Sequence, residues 1–232
     1  MSIVLSAGVR SNLLSLQNTS DLISTVQNRL ATGLRVSSAL DNPSNFFTAS
    51  GLNNRASDLS NLLDSIGQGI QTLKAADEGI QAITKLVEQA KSTANSAKET
   101  SVAAERATLA TTFDGLRTQI NQLASDASYK GKNLINGTGA TNNLVVSFNE
   151  DGTSSLTISA VDLTTTGLSI SAAAGSFATD ANVDASITEL DAALSTLRSQ
   201  SATFGSNLGV VENRESFTKN LINTLEEGAG KL

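Results

Sequence analysis

The sequence contains neither cysteine nor histidine, and it has no tryptophan, one proline and one methionine. Without cysteine and histidine there can be no disulfide bond, no thiolate nucleophile and no imidazole base. The chain also lacks the side chains that most transition metals prefer as ligands. Aromatic residues make up 3% of the chain and hydrophobic residues 39%, so the core must be built mainly from aliphatic side chains and alanine. These absences exclude most enzyme classes and favour a core of aliphatic side chains on long helices.

Charge is also sparse, with 16 basic and 22 acidic residues, a net charge of −6 and no block of like charge. We therefore expect no nucleic-acid partner, because phosphate binding needs clustered Lys and Arg. Residues 1–16 mix Ser and Gly with apolar residues and do not resemble a signal peptide. No run approaches the roughly 18 consecutive apolar residues of a membrane span. We expect no membrane insertion and, if the chain is secreted, export without a cleaved signal.

Apolar residues recur at intervals of seven along much of the chain. Two interleaved series predict one long helix with a coiled-coil stripe: Leu52, Leu59, Ile66, Leu73, Ile80, Val87 and Ala94, and Leu63, Ile70, Ile83, Ala90 and Ala97. Spacings of three and four predict further amphipathic helices over residues 9–34, 109–127 and 187–225, the last interrupted by polar Ser201 and Glu215. Because such long stripes must be buried, we expect the N- and C-terminal regions to pack together as a rod.

The helical pattern has two breaks. At the first break, the N-terminal helix ends near Gly33. A new helix is predicted to begin with Asn42 as its N-cap and Pro43 as its first residue. From residue 131 to 176 the composition changes to Gly, Thr, Ser and Asn, and alternating apolar residues predict strands at 144–148 and 155–159, with a short third strand at 168–170. The fold class is mainly α: a long antiparallel coiled-coil rod with a small β-hairpin excursion in its middle.

No catalytic residue, cofactor site or metal site is predicted. Adjacent carboxylates at 77–78, 150–151 and 226–227 are interpreted as solvated or turn residues, since neighbours on a helix point in different directions. Residues 149–152 lack the continuation of a calcium loop, and the glycines at 67–69 and 137–139 lack the Lys-Ser/Thr of a phosphate loop. The arginines admit two interpretations, pairing across packed helices or an ordinary solvated surface: Arg35, Arg55, Arg106, Arg117, Arg198 and Arg214.

Several motifs together carry a resemblance to a known family. Residues 30–43 read LATGLRVSSALDNP, and shorter matches occur at 75–80 (AADEGI), 120–123 (INQL), 129–134 (YKGKNL) and 207–214 (NLGVVENR). In this combination the chain resembles the bacterial flagellins over most of its length outside roughly 136–185. The resemblance implies a subunit that polymerises into the extracellular flagellar filament and has no enzymatic activity.

The resemblance also implies partners and a division of the chain. The expected partners are other copies of the same chain, the flagellar type III export apparatus with an export chaperone, and hook-associated and cap proteins. Residues 1–40 would be a terminal helix of the inner-tube type with its connector, 41–135 and 183–232 the two parts of a helical rod, and 136–182 an outward-facing region. By motif match, the expected assembly residues are Gly33, Leu34, Arg35, Asn213 and Arg214.

The end of the sequence departs from the family pattern, because flagellins usually continue for several more turns of apolar helix. We expect a shortened chain rather than an altered assembly scheme. The apolar stripe of the N-terminal helix, from Ile3 to Leu34, would then have no intramolecular packing partner. Three alternatives stay open: a hook–filament junction protein, a surface adhesin in which the β excursion holds a ligand, and a secreted coiled-coil effector.

Overall fold

The computed structural model describes residues 6–33, 35–36 and 38–232, and this part of the chain is mainly helical. Its helices are α1 (Ala7–Thr32), α2 (Pro43–Glu99), α3 (Ala103–Asp126) and α4 (Asp180–Lys231). Four short strands lie between α3 and α4: β1 (Ser128–Tyr129), β2 (Lys132–Asn133), β3 (Leu144–Ser147) and β4 (Ser155–Ile158). A single 3-10 turn, Ala174–Phe177, precedes α4. The predicted fold class is confirmed. The chain divides into two compact units.

The start of α2 follows the sequence prediction. The helix begins at Pro43, and the side-chain Oδ1 of Asn42 accepts a 3.2 Å hydrogen bond from the backbone N–H of Asn45. This bond satisfies one of the amides that a helix leaves unpaired in its first turn. Proline loses nothing at the first position, because its missing N–H would have no helical partner there. Asn42 is therefore the N-cap of α2.

The larger unit comprises residues 61–218. The heptad stripe of α2 is its central seam, because every predicted stripe residue from Ile66 to Ala97 is buried. Phe113 and Ile120 of α3 and Leu190, Leu197 and Phe204 of α4 belong to the same core. Alanines occupy the last seam positions of α2, so the helices can approach closely there. The coiled-coil stripe read from the sequence is thus the core of this unit.

Polar contacts along the edges of the seam fix the register between α2 and α4. Lys91 pairs with Asp191 and Lys98 with Asp184, each at 2.5 Å, so later residues of α2 meet earlier residues of α4. The hydroxyl of Ser201 donates a 2.9 Å hydrogen bond to Oδ1 of Asp77. These pairs show that the two helices run antiparallel within the larger unit.

Two antiparallel hairpins lie in the middle of the chain. Strands β3 and β4 pair with Leu144 opposite Ile158 and Ser147 opposite Ser155, and Gly152 has a φ of 68° in the turn between them. This hairpin confirms the prediction. The hairpin of β1 and β2, which turns at Lys130 and Gly131, was missed because two-residue strands leave almost no alternation in a sequence.

The predicted third strand at 168–170 is wrong. The N–H of Leu168 donates to the carbonyl of Thr164, that of Ile170 donates to the carbonyl of Thr165, and Ser169 has a φ of 55°. The backbone therefore closes on itself in a turn, and its N–H groups are not available for a neighbouring strand. Leu168 and Ile170 are nevertheless buried, so their apolar character reflects the core and not a strand.

The smaller unit comprises residues 1–60 and 219–232. Among its described residues, the buried apolar ones are Ala56 and Leu59 of α2 and Leu225 and Ala229 of α4. The amide Nδ2 of Asn45 donates a 3.3 Å hydrogen bond to the carbonyl oxygen of Leu232, so α2 and α4 also run antiparallel in this unit. Helix α1 contributes no buried residue.

Candidate assembly surfaces

Gly33 ends α1 by adopting a left-handed conformation. Its φ is 68° and its ψ is 4°, and its N–H donates a 2.8 Å hydrogen bond to the carbonyl of Arg29. Glycine takes this conformation without the Cβ clash that other residues meet, which explains its frequent position just past a helix. Gly33 therefore sets the direction in which the connector leaves α1, as the sequence predicted for the end of this helix.

Leu34 and Arg35 follow Gly33 in the predicted set of assembly residues. Leu34 lies outside the described residues. Arg35 is exposed, and it lines a cavity of about 220 Å³ in the smaller unit together with Phe46, Asn53 and Ala229. The connector thus places a cationic side chain beside the paired ends of α2 and α4.

Asn213 and Arg214 lie on α4 in the larger unit, so the five predicted residues are divided between the two units. Both residues are exposed. The guanidinium carbon of Arg214 is 5.3 Å from the centroid of the Phe148 ring, at the end of strand β3. A cation over a ring face is attracted by the ring quadrupole. Arg214 therefore contacts the β3–β4 hairpin within its own chain.

Two other arginines hold irregular segments in place. Arg106 donates from Nη2 to Asp180 at 2.5 Å and from Nε to the carbonyl of Thr100 at 2.7 Å. Arg117 donates from Nε to the carbonyl of Ile170 at 3.1 Å. Both arginines are largely buried and use the directional donors of the guanidinium group. For these two residues the pairing interpretation applies, and the contacts are intramolecular.

Helix α1 carries a line of exposed apolar side chains. We call it the α1 apolar face, and its residues are Val9, Leu13, Leu16, Ile23, Val26 and Leu30. Their exposed fractions run from 47% for Val9 to 85% for Leu30. Leu22, one turn before Val26, is also exposed at 66%, and Leu14 is exposed at 60% on the opposite side of α1. Isolated exposed apolar residues are ordinary, whereas a continuous line of them marks an interaction surface.

A second apolar group lies where the connector meets α2. Leu40 is 96% exposed and Phe47 is 66% exposed, and the rings of Phe46 and Phe47 meet edge to face at 5.7 Å. These residues were not predicted as candidates from the sequence. The signal was available, because two adjacent phenylalanines are unusual in a chain with seven.

Acidic side chains do not gather into a metal site among residues 6–33, 35–36 and 38–232. Asp77 accepts hydrogen bonds from Gln81 at 2.7 Å and from Ser201 at 2.9 Å, so it is a structural acceptor. Glu227 pairs with Lys231 one helical turn away on α4, and this hydrogen bond lowers the pKa of Glu227. In the described part of the chain, no helix combines the length and the hydropathy required to cross a bilayer.

Comparison with known proteins identifies the family. A family model described as the bacterial flagellin N-terminal helical region matches residues 7–140. Flagellin FljM from Caulobacter vibrioides is 32% identical over 232 residues, which cover 100% of this chain and 84% of the relative. The chain belongs to the bacterial flagellin family. A flagellin from Brucella melitensis is 28% identical, with the same two coverages.

The fold comparison agrees with this assignment. The crystal structure of a Bacillus cereus flagellin superposes with a TM-score of 0.57 at 19% identity, covering 65% of this chain and 86% of the other. At that identity the likeness concerns the fold alone. As a flagellin, the chain is a structural subunit of the bacterial flagellar filament, and the junction-protein, adhesin and effector alternatives are not favoured.

Proposed function

We propose that this flagellin enters the filament by burying the α1 apolar face against other copies of the chain. The observation that carries the proposal is that α1 has 26 residues, none of them buried. Removing one fully exposed Leu or Ile side chain from water stabilises a contact by about 1.5–3 kcal/mol. A filament supplies neighbours along the whole length of such a helix.

We propose that the regions predicted from the sequence occupy distinct places in the filament. Residues 1–40 form the inner-tube helix and its connector, 41–135 and 183–232 form the helical rod, and 136–182 face outward. Burial within the subunit supports the outward placement of residues 136–182, because Val145 is the one large apolar side chain exposed in this fully described range. Gly33, Leu34, Arg35, Asn213 and Arg214 remain the proposed assembly residues. For Arg214 the role is indirect, since it orients the hairpin through Phe148.

We also propose the route by which the chain reaches the filament. The flagellar type III apparatus exports it to the cell exterior, where hook-associated and cap proteins flank the polymer. Before export the α1 apolar face needs a cover, and an export chaperone that binds this face would supply it. The filament role requires no catalysis, and we propose that the chain is not an enzyme.

Seeded polymerisation tests the role of α1. Purified wild-type chain and two double variants are added to fragments of flagellar filament, and the protein that sediments with the fragments is measured over a range of concentrations. The first variant, Leu16→Gln with Ile23→Gln, places amides on the α1 apolar face. The control, Thr25→Gln with Asn28→Gln, adds the same two side chains to the opposite side of the helix.

The face variant should need a concentration about tenfold or more above that of the wild type, since each 1.4 kcal/mol of lost contact energy is worth tenfold. The control should polymerise as the wild type does. Circular dichroism checks that both variants keep their helix content. Equal polymerisation of the two variants would show that the α1 apolar face is not an assembly surface.

A further inference from the structure

The bond between Asn136 and Gly137 is the single Asn-Gly bond in the sequence, and it lies in the segment that follows strand β2. We propose that Asn136 is a site of spontaneous deamidation in the folded protein, with water as the co-reactant and ammonia as the leaving group. The proposal rests on the local geometry and does not depend on assembly into a filament.

The structure leaves both reacting groups accessible. Asn136 is exposed, and its carboxamide has no hydrogen-bond partner among the residues that the structure describes. The backbone N–H of Gly137 likewise donates to no described acceptor. Gly137 has a φ of 101° and no side chain, so no Cβ of its own stands between its nitrogen and the preceding side chain. The nucleophile and the carbonyl that it attacks are thus adjacent and unprotected.

Two neighbouring asparagines, Asn133 and Asn143, are held by hydrogen bonds. Asn133 donates from Nδ2 to the carbonyls of Ala124 and Ser125, and its Oδ1 accepts from the N–H groups of Ile135 and Asn136. Oδ1 of Asn143 accepts from the N–H of Ala160 at 2.9 Å. Each of these side chains would have to break its hydrogen bonds before it could approach the next backbone nitrogen. Asn136 needs no such step.

The reaction proceeds in two balanced steps. The deprotonated backbone nitrogen of Gly137 attacks Cγ of Asn136, a C–N bond forms, the bond from Cγ to the amide nitrogen breaks, and ammonia leaves with the proton. Water then adds to either carbonyl of the resulting succinimide ring and opens it. The products are aspartate at position 136 or isoaspartate, in which the main chain runs through the side-chain carbon.

The surrounding fold should tolerate both products. Leu134 and Ile135 just before the site are fully buried, and their carbonyls accept 2.9 Å hydrogen bonds from the N–H groups of Val161 and Leu163. These contacts fix the core side of the segment independently of Asn136. The change therefore adds one negative charge at the surface, taking the net charge from −6 to −7.

The test follows the reaction by mass spectrometry. The folded full chain is incubated in mildly alkaline buffer, beside the same chain in urea and the Asn136→Gln variant. Digestion with trypsin and a glutamate-specific protease releases a fragment from Asn133 to Glu150. Conversion raises its mass by the difference between a hydroxyl and an amino group, and fragmentation locates the modified residue. Methylation by an isoaspartate methyltransferase reports the rearranged product separately.

In the folded chain, the rate at Asn136 should lie within about tenfold of its rate in urea, which corresponds to a barrier difference below 1.4 kcal/mol. Glutamine at position 136 would have to form a larger ring and should react at least about tenfold more slowly. Asn133 and Asn143 should react in urea only. A larger slowing at Asn136 in the folded chain, or no conversion in either state, would overturn the proposal.

Discussion

The guanidinium carbon of Arg214 on α4 lies 5.3 Å from the centroid of the Phe148 ring, so a residue of the NLGVVENR motif contacts the β3–β4 hairpin. Because this pair is exposed on the side of the arginine, its interaction should be worth about 0.5–1 kcal/mol. A double-mutant cycle with Arg214→Gln and Phe148→Leu, measured by chemical denaturation, isolates that coupling. Strictly additive effects of the two substitutions would mean that the contact contributes nothing.

Two glycines of α2 form a matched pair for testing close packing. A Cβ atom at Gly79 would lie 2.6 Å from Cβ of Ala127 and 2.7 Å from Cδ1 of Ile135, whereas one at Gly67 would meet nothing within 4 Å. Gly79→Ala should therefore destabilise the protein by about 1–3 kcal/mol. Gly67→Ala should stabilise it by about 0.5–1 kcal/mol, because alanine favours helix. Thermal unfolding of both variants checks the predicted opposite signs, and a stabilising Gly79→Ala would contradict the packing described.

The hydrogen bond from Ser201 to Asp77 should contribute measurably to stability. Ser201→Ala removes the donor and should cost about 1 kcal/mol, enough to lower Tm by roughly 2–4 °C in a chain of this size. Ser206→Ala is the control, since Ser206 is exposed on the same helix. If the two variants unfold at the same temperature, the contact between Asp77 and Ser201 makes no net contribution to the free energy of unfolding.

The ion pair between Lys98 and Asp184 predicts a dependence on alkaline pH. The hydrogen bond and the charge of Asp184 raise the pKa of Lys98 above its ordinary value of 10.5. The stabilisation is therefore fully present below pH 10.5 and is lost as the pH rises through the folded-state pKa. Lys98→Met should be less stable than wild type at neutral pH. This difference in stability should shrink as the pH rises through the folded-state pKa of Lys98. Lys85→Met, an exposed lysine on the same helix, controls for the loss of one charge.

The stability of each variant at neutral and strongly alkaline pH gives the result. The difference between wild type and Lys98→Met should narrow more than the difference between wild type and Lys85→Met. A gap for Lys98→Met that stays constant across this pH range would show that the ion pair does not contribute through the charge of Lys98.

The sequence by itself determined that the chain forms long helices, and it located the end of α1 and the start of α2. Gly33 past the end of α1 and Asn42 before Pro43 at the start of α2 act through their own backbone and side-chain chemistry, which requires only local interactions. The heptad series from Ile66 to Ala97 likewise identified the buried face of α2, since one side of a helix repeats with a fixed period. The flagellin motifs were readable for the same reason, because they are contiguous stretches of chain.

Only the tertiary structure decided the contacts between distant segments. Ser201 was visible as a polar interruption in an apolar series, but its partner Asp77 lies 124 residues away. Leu168 and Ile170 suggested a strand, yet the turn around Ser169 was fixed partly by Thr165, whose N–H and hydroxyl both donate to Oδ1 of Asn121. Such bonds form only once the helices have brought the segments together, so no local pattern encodes them. The apolar stripe on α1 was predicted from its spacing, whereas the contact of Arg214 with Phe148 required the folded chain.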